Sequence, residues 1–191
     1  MPKRAVRELA YVEVASNELT RDINRDLILE HVRISQPISR MELARVSGLQ
    51  PSTVSSIVEQ LKQERWIQEG PTVKTARGRR PTMLSLNDDL LILVGDVRPT
   101  YAVLAVVDLN GHFLSRRTVS LASDVELSID IIADAMNQLR AEHPAKVFEG
   151  VGLSVPGRVD PVTNRLALVP NLQWRDYDVS GKLAAQLGLR V

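Results

Sequence analysis

The sequence predicts two domains in tandem, a small α+β domain followed by an incomplete α/β domain. Three observations predict this. Two short helical patterns joined by a glycine turn occupy residues 37–61, a basic loop between two strand patterns follows them, and an order of three strands, a helix and a strand begins at Leu90. We expect an N-terminal arm or helix at 1–18, the first domain at 19–87 and the second at 88–191.

The segment 37–61 predicts two helices and the turn between them. Ser39 and Glu42 have the S-x-x-E spacing of a capping box, so a helix is expected over 40–47. Gly48 accepts the left-handed conformation that follows a helix C-terminus. Pro51 suits the first turn of the next helix, expected over 51–64, because its missing N–H costs nothing there.

The second of these helices has one aliphatic and one polar face. The aliphatic residues recur at i, i+3, i+4 and i+7 and are Val54, Ile57, Val58 and Leu61. A helix that packs by such a stripe and presents hydroxyl groups outward is typical of a major-groove recognition helix. The candidates for base or nearby phosphate contacts are Gln50, Ser52, Thr53 and Ser56. Arg40 and Ser55 are the candidates for positioning the DNA backbone. The alternative is an ordinary helical hairpin whose polar face is solvated.

A basic loop, GPTVKTARGRRPT, lies between strand patterns at 66–69 and 83–86. Helices followed by a basic hairpin are the winged-helix arrangement. Arginines are attracted into narrow minor grooves, and a glycine between them allows close approach, so Arg77, Arg79 and Arg80 are further candidate DNA contacts. The run resembles an AT-hook. A solubilising loop or a contact to phosphates alone is the alternative.

The composition excludes several classes of site. The chain has no cysteine, so disulfides, thiolate metal sites and cysteine nucleophiles are excluded, and its three histidines are scattered. We expect no cofactor and no metal. Without a signal peptide pattern or an apolar run of about 20 residues, a cytoplasmic protein with no membrane partner is expected. Residues 1–81 carry a net charge of +4 and residues 82–191 a net charge of −3, so only the front half is expected to meet a polyanion.

Two segments precede the helix-turn-helix, and a helix is predicted for the second of them. Residues 5–18 form either a short helix or an arm, and a second helix spans 21–33. Its inward face is expected to carry four aliphatic residues, Ile23, Leu27, Ile28 and Val32.

The second domain begins with strands at 90–97, 101–108 and 112–119, the last two joined by an Asn110-Gly111 turn. The first strand is expected to be buried on both faces. The remaining predictions are a helix at 124–142, a strand at 148–155, a small hairpin within 158–177, a helix at 179–187 and the start of a strand at 189–191.

Four motifs together resemble the ROK family (repressors, open reading frames and sugar kinases), in its repressor branch of the N-acetylglucosamine and xylose repressor type. They are PISRMELARVSGLQPSTVSSIVEQL, RGRRP, VGLSVPGRVD and PNLQW, beginning at residues 37, 77, 151 and 170. The resemblance implies a winged-helix domain and part of an actin-like (ribonuclease-H-like) sugar kinase domain. It also implies repression of carbohydrate genes, double-stranded DNA and a sugar or sugar-phosphate effector as partners, and a homo-oligomer in the full-length parent.

The kinase-like half departs from the family pattern. Kinase members carry an Asp-x-Gly-Gly-Thr phosphate loop, whereas Asp96 and Thr100 here flank Val97, Arg98 and Pro99. Proline offers no N–H to a phosphate and arginine crowds the loop, so no enzyme activity is expected. The alternatives are a sugar kinase, or a sugar-binding module without DNA binding.

Two residues lie in segments that border the sugar cleft in relatives. Gly157 and Asn171 are therefore candidate sugar contacts, although a tight turn and a loop cap explain them equally. The family's catalytic Asn-Asp pair and zinc motif come beyond Val191. The chain is therefore expected to be a fragment: a truncated gene product, a frameshifted reading frame or a partial record.

Overall fold

The computed structural model describes residues 3–72, 81–163, 165–169 and 174–191 of the chain. The chain divides into two compact units, Met1–Asn87 and Asp88–Val191. None of the helices in these described ranges combines the length and the apolar character needed to span a membrane.

Unit 1 contains three helices and a three-stranded sheet. Its elements are α1 (Lys3–Ser35), β1 (Ile38–Ser39), α2 (Arg40–Ser47), α3 (Pro51–Gln63), β2 (Ile67–Thr72) and β3 (Thr82–Leu86). The sheet order is β1-β3-β2, and both pairs are antiparallel. The predicted ends of β2 and β3 lie within three residues of the observed ones. Strand β1 was not predicted, because two residues carry no periodic signal.

One continuous helix precedes residue 35. Helix α1 runs from Lys3 to Ser35 without interruption. Neither glycine nor proline occurs within this range, so nothing in the local sequence ends the first segment before the second begins. The helix predicted at 21–33 is therefore the second half of a longer helix.

The inward face of α1 is narrower than predicted. Ile28 and Val32 are fully buried, whereas Ile23 and Leu27 are 58% and 37% exposed. Each residue turns the helix by about 100°, so Leu27 and Ile23 lie about 100° and 140° from the direction of Ile28. The sequence shows both apolar stripes equally well, and only packing against α2 and α3 selects one.

The core of unit 1 is aliphatic and gathers residues from all three helices and the hairpin. These are Ile28, Val32, Ile38, Leu43, Val54, Ile57, Val58, Leu61, Ile67, Leu84 and Leu86. The aliphatic stripe predicted for α3 is entirely in this core. The stripe therefore fixes which face of α3 is left to solvent.

Unit 2 is built on a four-stranded sheet with two helices. Its elements are β4 (Leu90–Val97), β5 (Tyr101–Asp108), β6 (Phe113–Ser120), α4 (Val125–Ala141), β7 (Val147–Ser154), β8 (Arg158–Val159), β9 (Leu166–Val169), β10 (Trp174–Tyr177) and α5 (Val179–Leu187). The main sheet has the order β6-β5-β4-β7, with β7 parallel to β4 and the other pairs antiparallel. The short strands form a second sheet, β10-β9-β8.

Burial in the main sheet is one-sided. Leu91, Leu93 and Val97 of β4 belong to a core shared with α4 and α5, whereas Ile92 and Val94 are half-buried. The expectation that β4 is buried on both faces was therefore wrong. The one helix predicted between strands, α4, lies on the side of Leu91 and Leu93 and leaves the alternate residues only partly covered.

The end of the chain lies beside β7. The Val151 N–H donates to the Arg190 carbonyl oxygen at 2.8 Å, and Gly150 and Arg190 form a parallel bridge. A Cβ atom on Gly150 would lie 2.9 Å from that oxygen, so a glycine is needed for this approach. The predicted strand start at 189–191 is thus present as one bridge.

Candidate nucleic-acid interface

Helix α2 begins with the capping box that the sequence predicts. The Glu42 N–H donates to Ser39 Oγ at 3.3 Å, and Ser39 N–H donates to Glu42 Oε2 at 3.1 Å. The Glu42 carboxylate accepts from the Ser39 N–H and also from Ser39 Oγ, at 2.8 Å, and these two bonds, backbone first, hold the pKa of Glu42 below its ordinary 4.5. Gly48 ends the helix with φ 71°, and its N–H donates to the Ala44 carbonyl at 3.1 Å. The chain then turns directly into α3.

Helix α3 presents the predicted polar residues to solvent. The exposed set contains Gln50, Ser52, Thr53, Ser55 and Ser56. Gln50 is the N-cap residue, and its carbonyl accepts the Val54 N–H at 3.0 Å. Because the aliphatic face is anchored in the core, these side chains form one solvent-facing surface on the first half of the helix.

Ser55 differs from its neighbours because its hydroxyl hydrogen is already used. Ser55 Oγ donates to the carbonyl oxygen of Pro51, one turn earlier in the helix, at 2.8 Å. A phosphate needs a donor, so in this rotamer Ser55 offers only its acceptor lone pairs. For Ser55 to donate to the DNA backbone, as predicted, its side chain must change rotamer.

Arg40 lies in a four-residue ion-pair network that links α2, α3 and β2. Its Nη2 is 2.7 Å from Glu59 Oε1 and 2.8 Å from Glu69 Oε1. Lys62 Nζ is 3.2 Å from Glu59 Oε2 and 2.8 Å from Glu69 Oε1. The guanidinium predicted to serve the DNA backbone therefore also ties the start of α2 to α3 and the hairpin.

The network keeps both carboxylates ionised. Hydrogen bonds from Arg40 and then Lys62 lower the pKa of Glu59, and those from Lys62 and then Arg40 lower the pKa of Glu69. Two cations face two anions, so the cluster is neutral overall. Sequence reasoning missed it because Glu59 and Glu69 are far from Arg40 along the chain.

A second set of contacts holds α3 from the side of α1. Arg25 Nε donates to Glu64 Oε2 at 3.0 Å, and a second nitrogen of the same guanidinium pairs with that carboxylate. One turn earlier, Arg21 Nη2 donates to Gln60 Oε1 at 3.0 Å. Helix α3 is thus held on both flanks, by α1 on one side and by Arg40 on the other.

The predicted hairpin arginines, Arg77, Arg79 and Arg80, and the candidate sugar contact Asn171 lie outside the described residues. Gly157, the other candidate sugar contact, is exposed in the turn after β7, where its N–H donates to the Val155 carbonyl at 2.9 Å. This contact is that of a tight turn, as the sequence also allows for Gly157.

The loop at the end of β4 is closed by its own side chains. Arg98 Nε donates to Asp96 Oδ2 at 2.9 Å, and the Arg98 N–H donates to the Tyr101 carbonyl at 2.8 Å. Asp96, which the family resemblance predicts at the position of the phosphate loop, has its carboxylate paired with Arg98. Across the described ranges, no cluster of three or more His, Asp or Glu residues has the arrangement of a metal site.

Comparison with known proteins matches residues 95–191 to the ROK family. The chain is 30% identical over 184 residues to the xylose repressor of Bacillus subtilis (strain 168), a match that covers 94% of this chain and 48% of that protein. It is 23% identical over 169 residues to the DNA-binding transcriptional dual regulator NagC of Escherichia coli (strain K12), covering 86% of this chain and 42% of NagC.

The fold is also that of a solved regulator. A crystal structure of a ROK family transcriptional regulator, a homologue of the E. coli Mlc protein, superposes with a TM-score of 0.73 at 19% identity, covering 90% of this chain and 45% of that one. The chain spans about half the length of the relatives it matches. The family match extends over more than half of the sequence, from Gly95 of β4 to Val191, and the protein belongs to the ROK family.

Proposed function

We propose that this chain is the DNA-binding part of a transcriptional repressor of carbohydrate genes, with unit 1 as a winged helix-turn-helix domain. The observation that carries the proposal is α3, whose aliphatic stripe is buried while Gln50, Ser52, Thr53 and Ser56 face solvent. A helix anchored in this way, and following a tight turn from α2, has the geometry of a major-groove reader. The names of the relatives, a xylose repressor and a DNA-binding regulator, support it.

The polar face of α3 has the chemistry for reading base edges. Gln50 carries both a donor and an acceptor, the combination that pairs with adenine N6 and N7, while a hydroxyl group serves as either. Ser52, Thr53 and Ser56 therefore complement several bases, with less discrimination than a bidentate contact. Arg40 and Ser55 are assigned to the DNA backbone, with Arg40 also positioning α3 through Glu59.

The hairpin supplies the second half of the proposed interface. Thr72 at the end of β2 is the register partner of Thr82 at the start of β3, so the basic segment joins two paired strand ends. We assign Arg77, Arg79 and Arg80 to minor-groove insertion, because a narrow minor groove attracts arginine. A two-fold operator then requires two copies of the chain, so we propose a homo-oligomer in the parent protein.

Unit 2 is assigned a sensing role without phosphoryl transfer. In the loop after β4, Arg98 pairs with Asp96 and is followed by Pro99. The loop therefore lacks the glycine backbone that a nucleotide phosphate needs. A sugar or sugar phosphate is the proposed effector, with Gly157 and Asn171 as candidate contacts. We expect no ATP consumption with glucose, xylose or N-acetylglucosamine in a coupled kinase assay, and turnover above background would contradict this assignment.

The experiment for DNA binding is selection from a random duplex library, followed by fluorescence anisotropy on the selected duplex. We expect one enriched motif and a Kd at least about tenfold lower than for a scrambled duplex. Replacing both Ser52 and Ser56 by alanine should reduce the ratio of the Kd for the scrambled duplex to the Kd for the selected one. The change removes base-reading hydroxyls without altering the charge. If selection enriches no motif, the proposal fails.

The hairpin is tested separately with the double variant Arg79→Ala and Arg80→Ala. We expect weaker binding to selected and scrambled duplexes. The slope of log Kd against log salt should fall by about 0.9 for each phosphate that is no longer neutralised. A variant with both residues changed to lysine keeps the charge and should keep the salt dependence. Unchanged affinity and salt dependence in the alanine variant would rule out a role for these two arginines.

A further inference from the structure

Helices α1 and α3 enclose an open groove beside the recognition surface. Its concave volume is about 460 Å³, and its polar lining comes from Thr20, Arg21 and Asn24 of α1 and from Ser52, Thr53 and Ser56 of α3. Three of these residues are predicted base or phosphate contacts. The other three belong to a helix that neither the sequence nor the family resemblance assigns to DNA.

Arg21 is distinct from the other arginines that hold α3. Arg25 pairs with the carboxylate of Glu64. Arg40 pairs with the carboxylates of Glu59 and Glu69. Arg21 instead donates to the neutral amide oxygen of Gln60, and among the described residues no carboxylate lies within 4.0 Å of it. The nearby Glu64 carboxylate, which pairs with Arg25, interacts with Arg21 only at longer range, so the positive charge of Arg21 is less compensated than those of Arg25 and Arg40.

We propose that this groove is a binding site for a phosphate of the DNA backbone, with Arg21 as its cation. The inference rests on the proposed DNA-binding function and extends its footprint from α3 and the hairpin to α1. Thr20 and Asn24 carry groups that can donate to phosphate oxygens. A guanidinium is suited to phosphate because it offers several N–H donors in one plane, so it can bridge to an oxygen while still bonded to Gln60.

The position favours a DNA phosphate because the same groove is bounded by the recognition helix. When the exposed face of α3 enters a major groove, the sugar-phosphate strands run along both of its flanks. Arg40 lies on the flank facing the hairpin and Arg21 on the flank facing α1. The neutralised Arg40 network leaves Arg21 as the flanking residue with the more available charge.

The test measures anisotropy of a labelled mixed-sequence duplex, and of the duplex selected by the wild-type chain, at a series of KCl concentrations. For Arg21→Ala we expect binding to both duplexes to weaken by about three- to tenfold, and the slope of log Kd against log salt to fall by about 0.9. Arg21→Lys keeps the charge and should keep most of the slope.

Two controls separate a phosphate contact from other effects. Arg33→Ala removes the same charge about 18 Å further along α1, where Arg33 pairs with Glu30, and should leave the slope unchanged. Gln60→Ala removes the partner of Arg21 without removing the charge, so it should also keep the slope. An unchanged slope for Arg21→Ala, or an equal loss for Gln60→Ala, overturns the phosphate site while DNA binding stands. A wild-type chain that binds neither duplex overturns both proposals.

Discussion

At the scale of single residues, the start of α2 depends on one hydroxyl. Ser39 is buried, and its oxygen accepts the Glu42 N–H while its own N–H is bonded to the Glu42 carboxylate. Removing the serine side chain would leave the Glu42 N–H without this acceptor and take one hydroxyl donor from the Glu42 carboxylate, while the bond from the Ser39 N–H would remain. The S-x-x-E spacing predicted this arrangement correctly because capping depends on residues only three apart.

Replacing Ser39 by alanine is expected to lower the free energy of unfolding by about 1 kcal/mol, the usual loss for an N-cap. Urea unfolding followed by circular dichroism measures it. Ser52→Ala is the matched control, since Ser52 is exposed in the first turn of α3 and its loss should change stability by less than about 0.5 kcal/mol. Equal losses for the two variants would show that the cap contributes nothing specific.

Residue-scale contacts between distant parts of the chain were not predictable. The sequence assigns Arg40 to DNA from its place before the recognition helix, and that role stays a prediction. Its pairing with Glu59 and Glu69 depends on the packing of α2, α3 and β2, which no local pattern contains. The same holds for Arg21 and Gln60, which meet only because α1 packs along α3.

At the scale of elements, the ion-pair network makes the packing of α2, α3 and β2 sensitive to acid. Hydrogen bonds from Lys62 and Arg40 hold the pKa of Glu69 below 4.5, so the folded state binds this proton less readily than the unfolded state. The stabilisation is therefore present above pH 4.5 and is lost as the pH falls through the lowered pKa.

The variant Glu69→Gln tests this linkage, because an amide does not titrate. We expect the variant to be less stable than the wild type at neutral pH, and the difference in melting temperature to shrink below pH 4.5. Thermal unfolding at a series of pH values measures the difference. A gap that stays constant as the pH is lowered would contradict the assignment of the effect to the Glu69 carboxylate.

Strand β7 allows an element-scale test with two glycines. A Cβ on Gly150 would meet the backbone oxygen of Arg190 at 2.9 Å, whereas one on Gly152 would lie 4.0 Å from Val94 Cγ1. Gly150→Ala should therefore destabilise unit 2 by about 1–3 kcal/mol, and Gly152→Ala by clearly less. Urea unfolding compares them, and equal effects would mean that the approach of Arg190 contributes little.

Most elements could be predicted from the sequence, and the failures have two causes. Helices α2, α3 and α5 and strands β4 and β5 follow from caps, turns and periodicity. The buried face of α1 was mispredicted because two apolar stripes run along it and tertiary packing selects one. The three short strands β8 to β10 appeared as a single hairpin, since strands of two to four residues leave almost no pattern.

At the scale of the whole molecule, each unit has its own core and its own tryptophan. Trp66 belongs to unit 1, and Trp174 is buried in unit 2. We expect two unfolding transitions that can be observed separately in the Trp66→Phe and Trp174→Phe variants by intrinsic fluorescence. Adding Gly150→Ala should shift the transition reported by Trp174 and leave that of Trp66 in place. A shift of both would show that the two units unfold as one cooperative body.

The contacts on both flanks of α3 have a calorimetric consequence. Because α1 and α2 hold the helix through Gln60, Glu64 and Glu59, it is ordered before any duplex arrives. In the proposed complex with DNA, association would include no coupled folding of α3, and that contribution to the heat-capacity change should be missing. Titration calorimetry at several temperatures would give a heat-capacity change that reflects only the surface removed from water on contact.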